Sequence, residues 1–361
     1  MRIIIWGVGN IMQSHLVKKG LYKYDKITAF VDNNPILWRK SFNGIPIISP
    51  YELSSVVFDY VVICASDIKN IKKQIIEDLK IDIKKVKTFK EIEEYYTQKI
   101  INKYKNSKDD QINKFLSALK KDGLSVFGNY TPELTDYVVY RDEEGHPYII
   151  FENKRIYFPD TYQYFKQQDD KEYILDIMHE QKKESPHLYL ESEEDIPQGA
   201  VIVDAGTCEG NFAIRFVDKV SKIFLIESDP AWVECLKRTF KPFGEKIVIC
   251  DKQLARYDSS TTITLDTLLY GEKVDFIKMD IEGDEIDALL GAKNILLNNS
   301  VKCSICSYHK MNDEENIRFI LENLGYTTKV SNGYMFFVCD PNIFDTLDLR
   351  KGIVYAEKYN I

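Results

Sequence analysis

The chain has 361 residues, a length that exceeds one usual hydrophobic core and predicts two domains. Hydrophobic residues make up 44% of the chain and aromatic residues 12%, a composition that excludes a disordered chain. Its formal net charge of −8 argues against nucleic acid as a partner, because proteins that bind nucleic acid normally carry a basic face. No apolar run approaches the ~20 residues of a membrane-spanning helix, so no membrane span is predicted.

The chain begins MRIIIWG and enters a strand at once, a start that predicts no signal peptide. Its seven cysteines are an odd number scattered through apolar segments. This pattern is typical of free thiols in a reducing compartment. We therefore expect a cytoplasmic protein.

Residues 1–90 carry the pattern of a first α/β domain. The apolar strand RIIIW runs into a turn with Gly7 and Gly9, and the next strand ends in Asp32, at a distance from the turn that suits a ribose partner. Met12 stands where the third glycine of a dinucleotide-binding turn would fall, and its bulk opposes close packing of the helix. The segment resembles the small Rossmann-like nucleotide-binding domains attached to sugar-modifying enzymes. Asp32 is also an ordinary turn residue, so nucleotide binding here stays open.

A connector and a hairpin come next. Residues 91–126 place apolar positions at helical spacing without proline, which predicts a helical connector. The second predicted domain, residues 127–361, opens with strand-like alternation from Thr135 to Pro159 on both sides of a Glu-Glu-Gly turn, a hairpin signal. This β-hairpin appendage either shapes a substrate pocket or covers a sheet face with its aromatic residues.

The stretch VIVDAGTCEGNF, Val201–Phe212, is the strongest local motif. An apolar strand ends in Asp204, and Gly206 and Gly210 bracket a tight turn ahead of a helix. Glycine suits such a turn because it accepts positive φ and close ligand approach. The motif therefore predicts a cofactor-binding turn at the carboxyl end of a parallel strand.

Further strands follow in alternation with helices. Two of them end in acids, Glu227 and Asp280, a third is followed by Asp251, and a fourth, CSIC, leads to His309. The last two predicted strands, at residues 325–330 and 333–338, close the domain as a hairpin. This order predicts an α/β fold of two Rossmann-like domains, the second with the class I methyltransferase arrangement of a seven-stranded, mainly parallel sheet.

Three motifs, DAGTCEGN, IKMDIEGDEIDALLGA and SYHK, resemble in order and spacing the FkbM family of S-adenosylmethionine-dependent methyltransferases, over roughly Ile196 to Phe337. The resemblance implies O-methylation of a hydroxyl, usually on a sugar or polyketide. The family commonly reads Ala-Asn-Ile between the glycines, whereas this chain has Thr207, Cys208 and Glu209. The carboxylate of Glu209 could lie near the methionine ammonium or face solvent, so its role is open.

The resemblance and the strand ends together assign the cofactor, S-adenosylmethionine, to one edge of the sheet. Glu227 is expected to hold the ribose and Asp251 the adenine edge, and the glycine turn is expected to cradle the methionine part. The residues predicted to bind the cofactor are Asp204, Gly206, Gly210, Asn211, Glu227 and Asp251.

Methyl transfer from a sulfonium requires alignment of donor carbon and acceptor oxygen, and the removal of one proton. Asp280 and His309, at the ends of adjacent strands, are the predicted catalytic pair, with His309 as the base. In a second interpretation Asp280, Glu282 and His309 hold Mg²⁺ or Mn²⁺, which requires an extended chain up to Gly283. Glu285 is expected to serve only as a favourable acid in the first turn of the next helix.

The predicted function is O-methylation of a sugar hydroxyl, on a nucleotide-linked sugar or a glycan precursor, in surface polysaccharide biosynthesis. One alternative is an NAD-linked sugar-modifying enzyme that acts through Gly7, Gly9 and Asp32. Another is a non-catalytic scaffold of a glycan-synthesis complex. The expected partner is a small-molecule sugar; the acceptor position and the oligomeric state are not determined by the sequence.

Overall fold

The computed structural model describes residues 2–9, 12, 26–42, 44–128, 137–159, 174, 177, 178, 180, 181, 183–340 and 342–358. The chain divides into two compact units. The first comprises Met1–Asn129 and Phe336–Leu349, and the second comprises Tyr130–Met335 and Arg350–Ile361. Within the described part of the chain, no helix has the length and apolar character needed to cross a membrane.

The first unit contains a six-stranded sheet in the order β3-β4-β2-β1-β5-β6. All its neighbouring strands are parallel except β3 and β4. The strands are β1 Arg2–Trp6, β2 Lys26–Val31, β3 Ser41–Phe42, β4 Ile45–Ile48, β5 Tyr60–Ile63 and β6 Val86–Thr88. Their apolar runs bury Ile4, Val31 and Val61 completely, as expected for a sheet that is covered on both faces. This is the predicted Rossmann-like fold, although the predicted helix after Gly9 lies outside the described residues except for Met12.

Three described α-helices come after β5 in the first unit: α1 Ile68–Lys73, α2 Phe89–Tyr104 and α3 Asp110–Asp122. Helix α2 begins with a capping box, in which Thr88 and Glu91 each bond the other's backbone N–H, an arrangement that satisfies two otherwise unpaired donors. Helix α3 begins at the Asp109 cap and ends at Gly123, which has φ +81°. The predicted helical connector is thus two helices separated by a short loop.

The second unit opens with a three-stranded antiparallel sheet at the predicted hairpin. Its strands are β7 Tyr140–Arg141, β8 Pro147–Phe151 and β9 Lys154–Tyr157, in that spatial order. Gly145, with φ +88°, lies in the turn between β7 and β8. The backbone N–H of Tyr157 donates to the Thr239 hydroxyl at 3.0 Å, which ties this sheet to a helix of the same unit.

The main sheet of the second unit has seven strands, as predicted, in the order β12-β11-β10-β15-β16-β18-β17. Its first five strands are parallel, and β18 is antiparallel to both neighbours. The strands are β10 Val201–Ala205, β11 Lys222–Ile226, β12 Ile247–Cys250, β15 Phe276–Met279, β16 Lys302–Cys306, β17 Thr327–Val330 and β18 Ile353–Glu357, with the short parallel pair β13 Gln253–Leu254 and β14 Thr262–Ile263 beside it. The helices are α4 Asn211–Phe216, α5 Pro230–Phe240, α6 Leu265–Leu268, α7 Glu285–Leu290, α8 Lys293–Asn298 and α9 Asp313–Asn323, and α10 Ile343–Thr346 belongs to the first unit.

The prediction of the last strand at residues 333–338 was wrong. Strand β17 pairs with Ile353–Glu357 instead, and the predicted segment contributes only an isolated bridge between Met335 and Arg350. Phe336 belongs to the first unit, where it is fully buried against Phe344 with ring centroids 5.6 Å apart. An apolar run can be buried as a packed loop as well as a strand, and its periodicity does not distinguish the two.

One face of the seven-stranded sheet forms a hydrophobic core with α7, α8 and α9. Val203, Phe224 and Ile277 from the strands pack with Leu296 and Ile317 from the helices. Because side chains alternate along a strand, the residues between these core positions point to the opposite face. Asp204 and Lys278 are such residues, and they are direct neighbours in the β10–β15 register.

Candidate active site

The turn after β10 presses against the end of β15. Gly206 has φ +70°, and a Cβ added there would lie 1.6 Å from the Asp280 carbonyl oxygen, so only glycine fits. The Gly206 and Thr207 amides donate to the Ile226 carbonyl oxygen at 2.9 and 3.2 Å. Gly210, with φ +82°, directly precedes α4, whose first residue is the half-buried Asn211. The predicted cofactor turn therefore lies between the carboxyl ends of β11 and β15.

Glu227 follows β11 and connects two loops. Its Oε2 accepts the Cys208 backbone N–H at 3.0 Å and its Oε1 accepts that of Asp229 at 2.9 Å. Asp251 follows β12 and is exposed. Both acids are at the predicted edge of the sheet, and their contacts with ribose and adenine stay predictions.

Asp204 and Lys278 form a buried ion pair beneath the turn. Asp204 Oδ1 is 3.0 Å from Lys278 Nζ, and their side chains are 0% and 3% exposed. The Lys278 ammonium also donates to the carbonyl oxygens of Gly206, at 2.6 Å, and Ala205, at 3.3 Å. Burial alone would lower the pKa of Lys278, but the charges of Asp204 and Asp280 outweigh it and raise that pKa. Asp204 thus supports the turn through Lys278, and its direct contact with a cofactor stays a prediction.

Asp280 is the centre of a polar cluster. Its Oδ2 accepts the Tyr189 hydroxyl at 2.6 Å and lies 3.2 Å from His187 Nε2. Its Oδ1 accepts the Tyr308 hydroxyl at 3.1 Å and lies 3.4 Å from His309 Nε2. Burial would raise the pKa of Asp280, but the hydrogen bond and charge of His187, with the charge of His309, hold it well below its usual range. Asp280 is therefore an anion held by four side chains.

Two glutamates extend this cluster through the histidines. His309 Nδ1 is 3.0 Å from Glu285 Oε1, and His187 Nδ1 is 3.4 Å from Glu180 Oε2. Burial opposes charge on both imidazoles, yet the carboxylates raise the pKa of His309 and bring the pKa of His187 to about 9. The result is an alternating array of carboxylates and imidazoles, which we call the Asp280 array: Glu180, His187, Asp280, His309 and Glu285.

The structure places Glu285, and not Glu282, inside the polar cluster. Glu282 has φ +59°, and its side chain is 87% exposed, so the chain is not extended up to Gly283, as the metal interpretation through Glu282 requires. Glu285 is 1% exposed and also accepts the Ile281 N–H at 2.9 Å, which corrects its expected role as only a first-turn acid. Among the described residues, the potential metal ligands that converge include Asp280, Glu285 and His309; Glu282 Oε2 lies 4.0 Å from His309 Nε2.

Sequence reasoning missed four members of the site, which are Glu180, His187, Tyr189 and Tyr308. These residues lie up to 100 positions from Asp280 in the sequence, the largest separation being that of Glu180. The available signal was Tyr308, which precedes His309 directly.

The turn of the first unit has a related construction. Asp32 Oδ2 accepts the Val8 N–H at 3.0 Å and its Oδ1 accepts that of Asn34 at 2.8 Å. Met12 is fully buried, and its expected effect on the packing of the helix stays a prediction. Binding of NAD through Gly7, Gly9 and Asp32 stays a prediction.

Two family models match the chain. The one described as C2185-like, N-terminal matches residues 1–87, and the Methyltransferase FkbM domain matches residues 159–328. No curated protein matches the sequence. Residues 159–328 are therefore an FkbM domain, the S-adenosylmethionine-dependent methyltransferase predicted from the motifs.

Several solved structures are similar to the chain. A methyltransferase FkbM from Methylobacillus flagellatus is 17% identical, with 98% of this chain and 89% of that chain covered and a TM-score of 0.43. A precorrin-6y C5,15-methyltransferase from Geobacter metallireducens is 13% identical, with 45% and 83% covered and a TM-score of 0.33. An rRNA methylase from Streptococcus thermophilus is 12% identical, with 46% and 91% covered and a TM-score of 0.33.

Proposed function

We propose that the FkbM methyltransferase domain at residues 159–328 methylates a hydroxyl group of a sugar, on a nucleotide-linked sugar or a glycan precursor of a surface polysaccharide. The Asp280 array carries this proposal. Two histidines of this array and the hydroxyls of Tyr189 and Tyr308 surround the Asp280 carboxylate beside the glycine turn. Such a site suits a polar acceptor that must be oriented by hydrogen bonds and must lose a proton.

The glycine turn fits the methionine part of S-adenosylmethionine. Gly206 and Gly210 have positive φ, a conformation that glycine adopts readily and that allows the turn to be tight. Glu227 and Asp251 follow the next two strands, where an open α/β sheet binds nucleosides. When bound, the cofactor supplies an activated methyl group.

His309 is the proposed base. Glu285, 3.0 Å from Nδ1, holds the proton on that nitrogen, which leaves Nε2 to act on a substrate hydroxyl. Nε2 lies 3.4 Å from Asp280 Oδ1, a separation that is longer than an ordinary hydrogen bond. Asp280 stabilises the imidazolium that forms, and Tyr189 and Tyr308 fix its carboxylate. Because Asp280, Glu282 and Glu285 raise the pKa of His309, the rate is expected to increase as pH rises through that raised pKa.

The direct test uses purified protein, S-adenosylmethionine and a panel of nucleotide sugars. S-adenosylhomocysteine formation measures turnover, and mass spectrometry with NMR of the product locates the methyl group. We expect a methyl ether, and a loss of about 10²- to 10⁴-fold in rate for His309→Gln. His146→Gln, at the partly exposed hairpin histidine, is the matched control and should retain full activity. Methylation at nitrogen or carbon would contradict the proposal.

Chelation distinguishes this route from the predicted metal route through Asp280, Glu282 and His309. If His309 is the base, EDTA should leave the rate unchanged. If a divalent cation activates the hydroxyl, EDTA should abolish activity and Mg²⁺ or Mn²⁺ should restore it, and Glu282→Gln should weaken that restoration.

A further inference from the structure

Glu209 is a buried acid in the cofactor turn. It lies between Cys208, with φ +52°, and Gly210, with φ +82°, within the tight turn. Only 5% of the residue is exposed. In the described parts of the chain no basic side chain lies within ion-pair distance of its carboxylate, and Lys278 acts on it only at longer range. This chain has Glu209 where the family commonly has isoleucine.

The neighbouring acids of the turn already have partners. Asp204 is paired with Lys278, and Glu227 accepts the N–H groups of Cys208 and Asp229. Within the described residues, the Glu209 carboxylate has hydrogen bonds with its own backbone N–H and the Cys208 thiol, and burial raises its pKa from 4.5 to about 7. A buried carboxylate without a cation is costly. The turn is therefore built with one negative charge that a bound cation would neutralise.

We propose that the Glu209 carboxylate binds the α-ammonium group of the methionine part of S-adenosylmethionine. This rests on the assignment of that cofactor to the turn. An ammonium group has three donors and a full positive charge, so it matches a carboxylate whose hydrogen bonds are incomplete. Of the acids Asp204, Glu209 and Glu227, Glu209 is the one that has neither an ion pair nor a backbone N–H of another residue among the described residues.

The cofactor has a second cationic group, its sulfonium. Compounds that lack one or both groups show which of the two cations Glu209 binds. S-adenosylhomocysteine keeps the ammonium and lacks the sulfonium, while its deamino analogue lacks both. If Glu209 faces the ammonium, the wild-type protein should bind S-adenosylhomocysteine much more tightly than the deamino analogue. If Glu209 faces the sulfonium, Glu209→Gln should weaken the binding of S-adenosylmethionine and leave the binding of S-adenosylhomocysteine unchanged.

The experiment is calorimetric titration of the full chain, wild type and Glu209→Gln, with each of the three compounds. We expect Glu209→Gln to lower the affinity for S-adenosylhomocysteine by about 10- to 100-fold, the range for one hydrogen bond to a charged group. The affinity for the deamino analogue should not change. Glu245→Gln, at an exposed acid of the same unit, should bind all three compounds as the wild type does.

Equal affinity of the wild type and Glu209→Gln for S-adenosylhomocysteine would overturn the ammonium assignment and leave the methyltransferase assignment intact. If the wild type binds none of the three compounds, both assignments fail. Should Glu209→Gln not fold, the wild type still decides, because equal affinity for S-adenosylhomocysteine and its deamino analogue would overturn the inference.

Discussion

The two units contain the same kind of glycine turn in different surroundings. In each, a glycine with positive φ follows a parallel strand and lies against the end of a neighbouring strand. A Cβ at Gly7 would lie 2.7 Å from the Cys64 carbonyl oxygen, and one at Gly206 would lie 1.6 Å from that of Asp280. In each, an acid after the adjacent strand accepts a turn N–H, Asp32 from Val8 and Glu227 from Cys208, both at 3.0 Å.

The surroundings differ at the next strand. In the first unit it ends at Cys64, a thiol whose pKa is raised to about 12 by burial and which is therefore unreactive. In the second unit it ends at Asp280, where two histidines and two tyrosines meet one carboxylate. The turn and its acid are thus common to both units, and the proposed chemistry depends on the side chains at the end of the strand beside the turn.

Removal of the central charge should have the largest effect. Asp280→Asn deprives His187 and His309 of their shared anion, so we expect methyl transfer, measured as S-adenosylhomocysteine formation, to fall by about 10²- to 10⁴-fold. The matched substitution at the other turn, Asp32→Asn, should leave the rate unchanged. An equal loss in both variants would show that the two turns are not functionally different.

The buried ion pair should be the next most sensitive feature. Lys278→Met leaves the Asp204 carboxylate buried without its partner, which is expected to cost about 3–5 kcal/mol in the free energy of unfolding. Urea denaturation measures this loss. The double variant Asp204→Asn/Lys278→Met removes both charges and should recover most of the stability; no recovery would contradict the pairing.

Glu209 should make the stability of the ligand-free protein depend on pH. Its pKa is raised from 4.5 to about 7 in the folded protein. Glu209 therefore ionises at a lower pH in the unfolded chain than in the folded protein, and the free energy of unfolding falls as pH rises from 4.5 to 7. At pH 8 the deficit reaches about 3 kcal/mol at most. Glu209→Gln should therefore raise the melting temperature of the ligand-free protein at pH 8 and change it little at pH 4.5. The charged groups that act on Glu209 are Glu180 and Lys278, with the Cys208 thiol beside it. A lower melting temperature at pH 8 would contradict this account.

The smallest effect is expected in the first unit. Asp32→Ala removes the acceptor of the Val8 and Asn34 amides, which should reduce stability by about 1–2 kcal/mol. Denaturation followed by Trp6 or Trp38 fluorescence would measure this, and calorimetry should show unchanged affinity for S-adenosylhomocysteine. A loss of that affinity would assign part of the cofactor site to the first unit.

The sequence predicts the strands and the turn because these depend on local patterns. Apolar runs that end in Asp204 and Asp280, and glycines at fixed spacing, specify the sheet and its edge. The Asp280 array depends instead on packing between distant segments, so His187 and Glu180 carry no local signal for their role. Glu285 was misread because an acid in the first turn of a helix already has an ordinary explanation, and only its burial shows the contact with His309.

The most direct test of the account is calorimetric titration of the wild type, Glu227→Ala and Gly9→Trp with S-adenosylhomocysteine and, separately, with NAD. The account predicts that S-adenosylhomocysteine binds the wild type, that Glu227→Ala abolishes this binding, and that Gly9→Trp retains it. Binding of NAD alone, with its loss in Gly9→Trp, would contradict the account and assign the chemistry to the turn of the first unit.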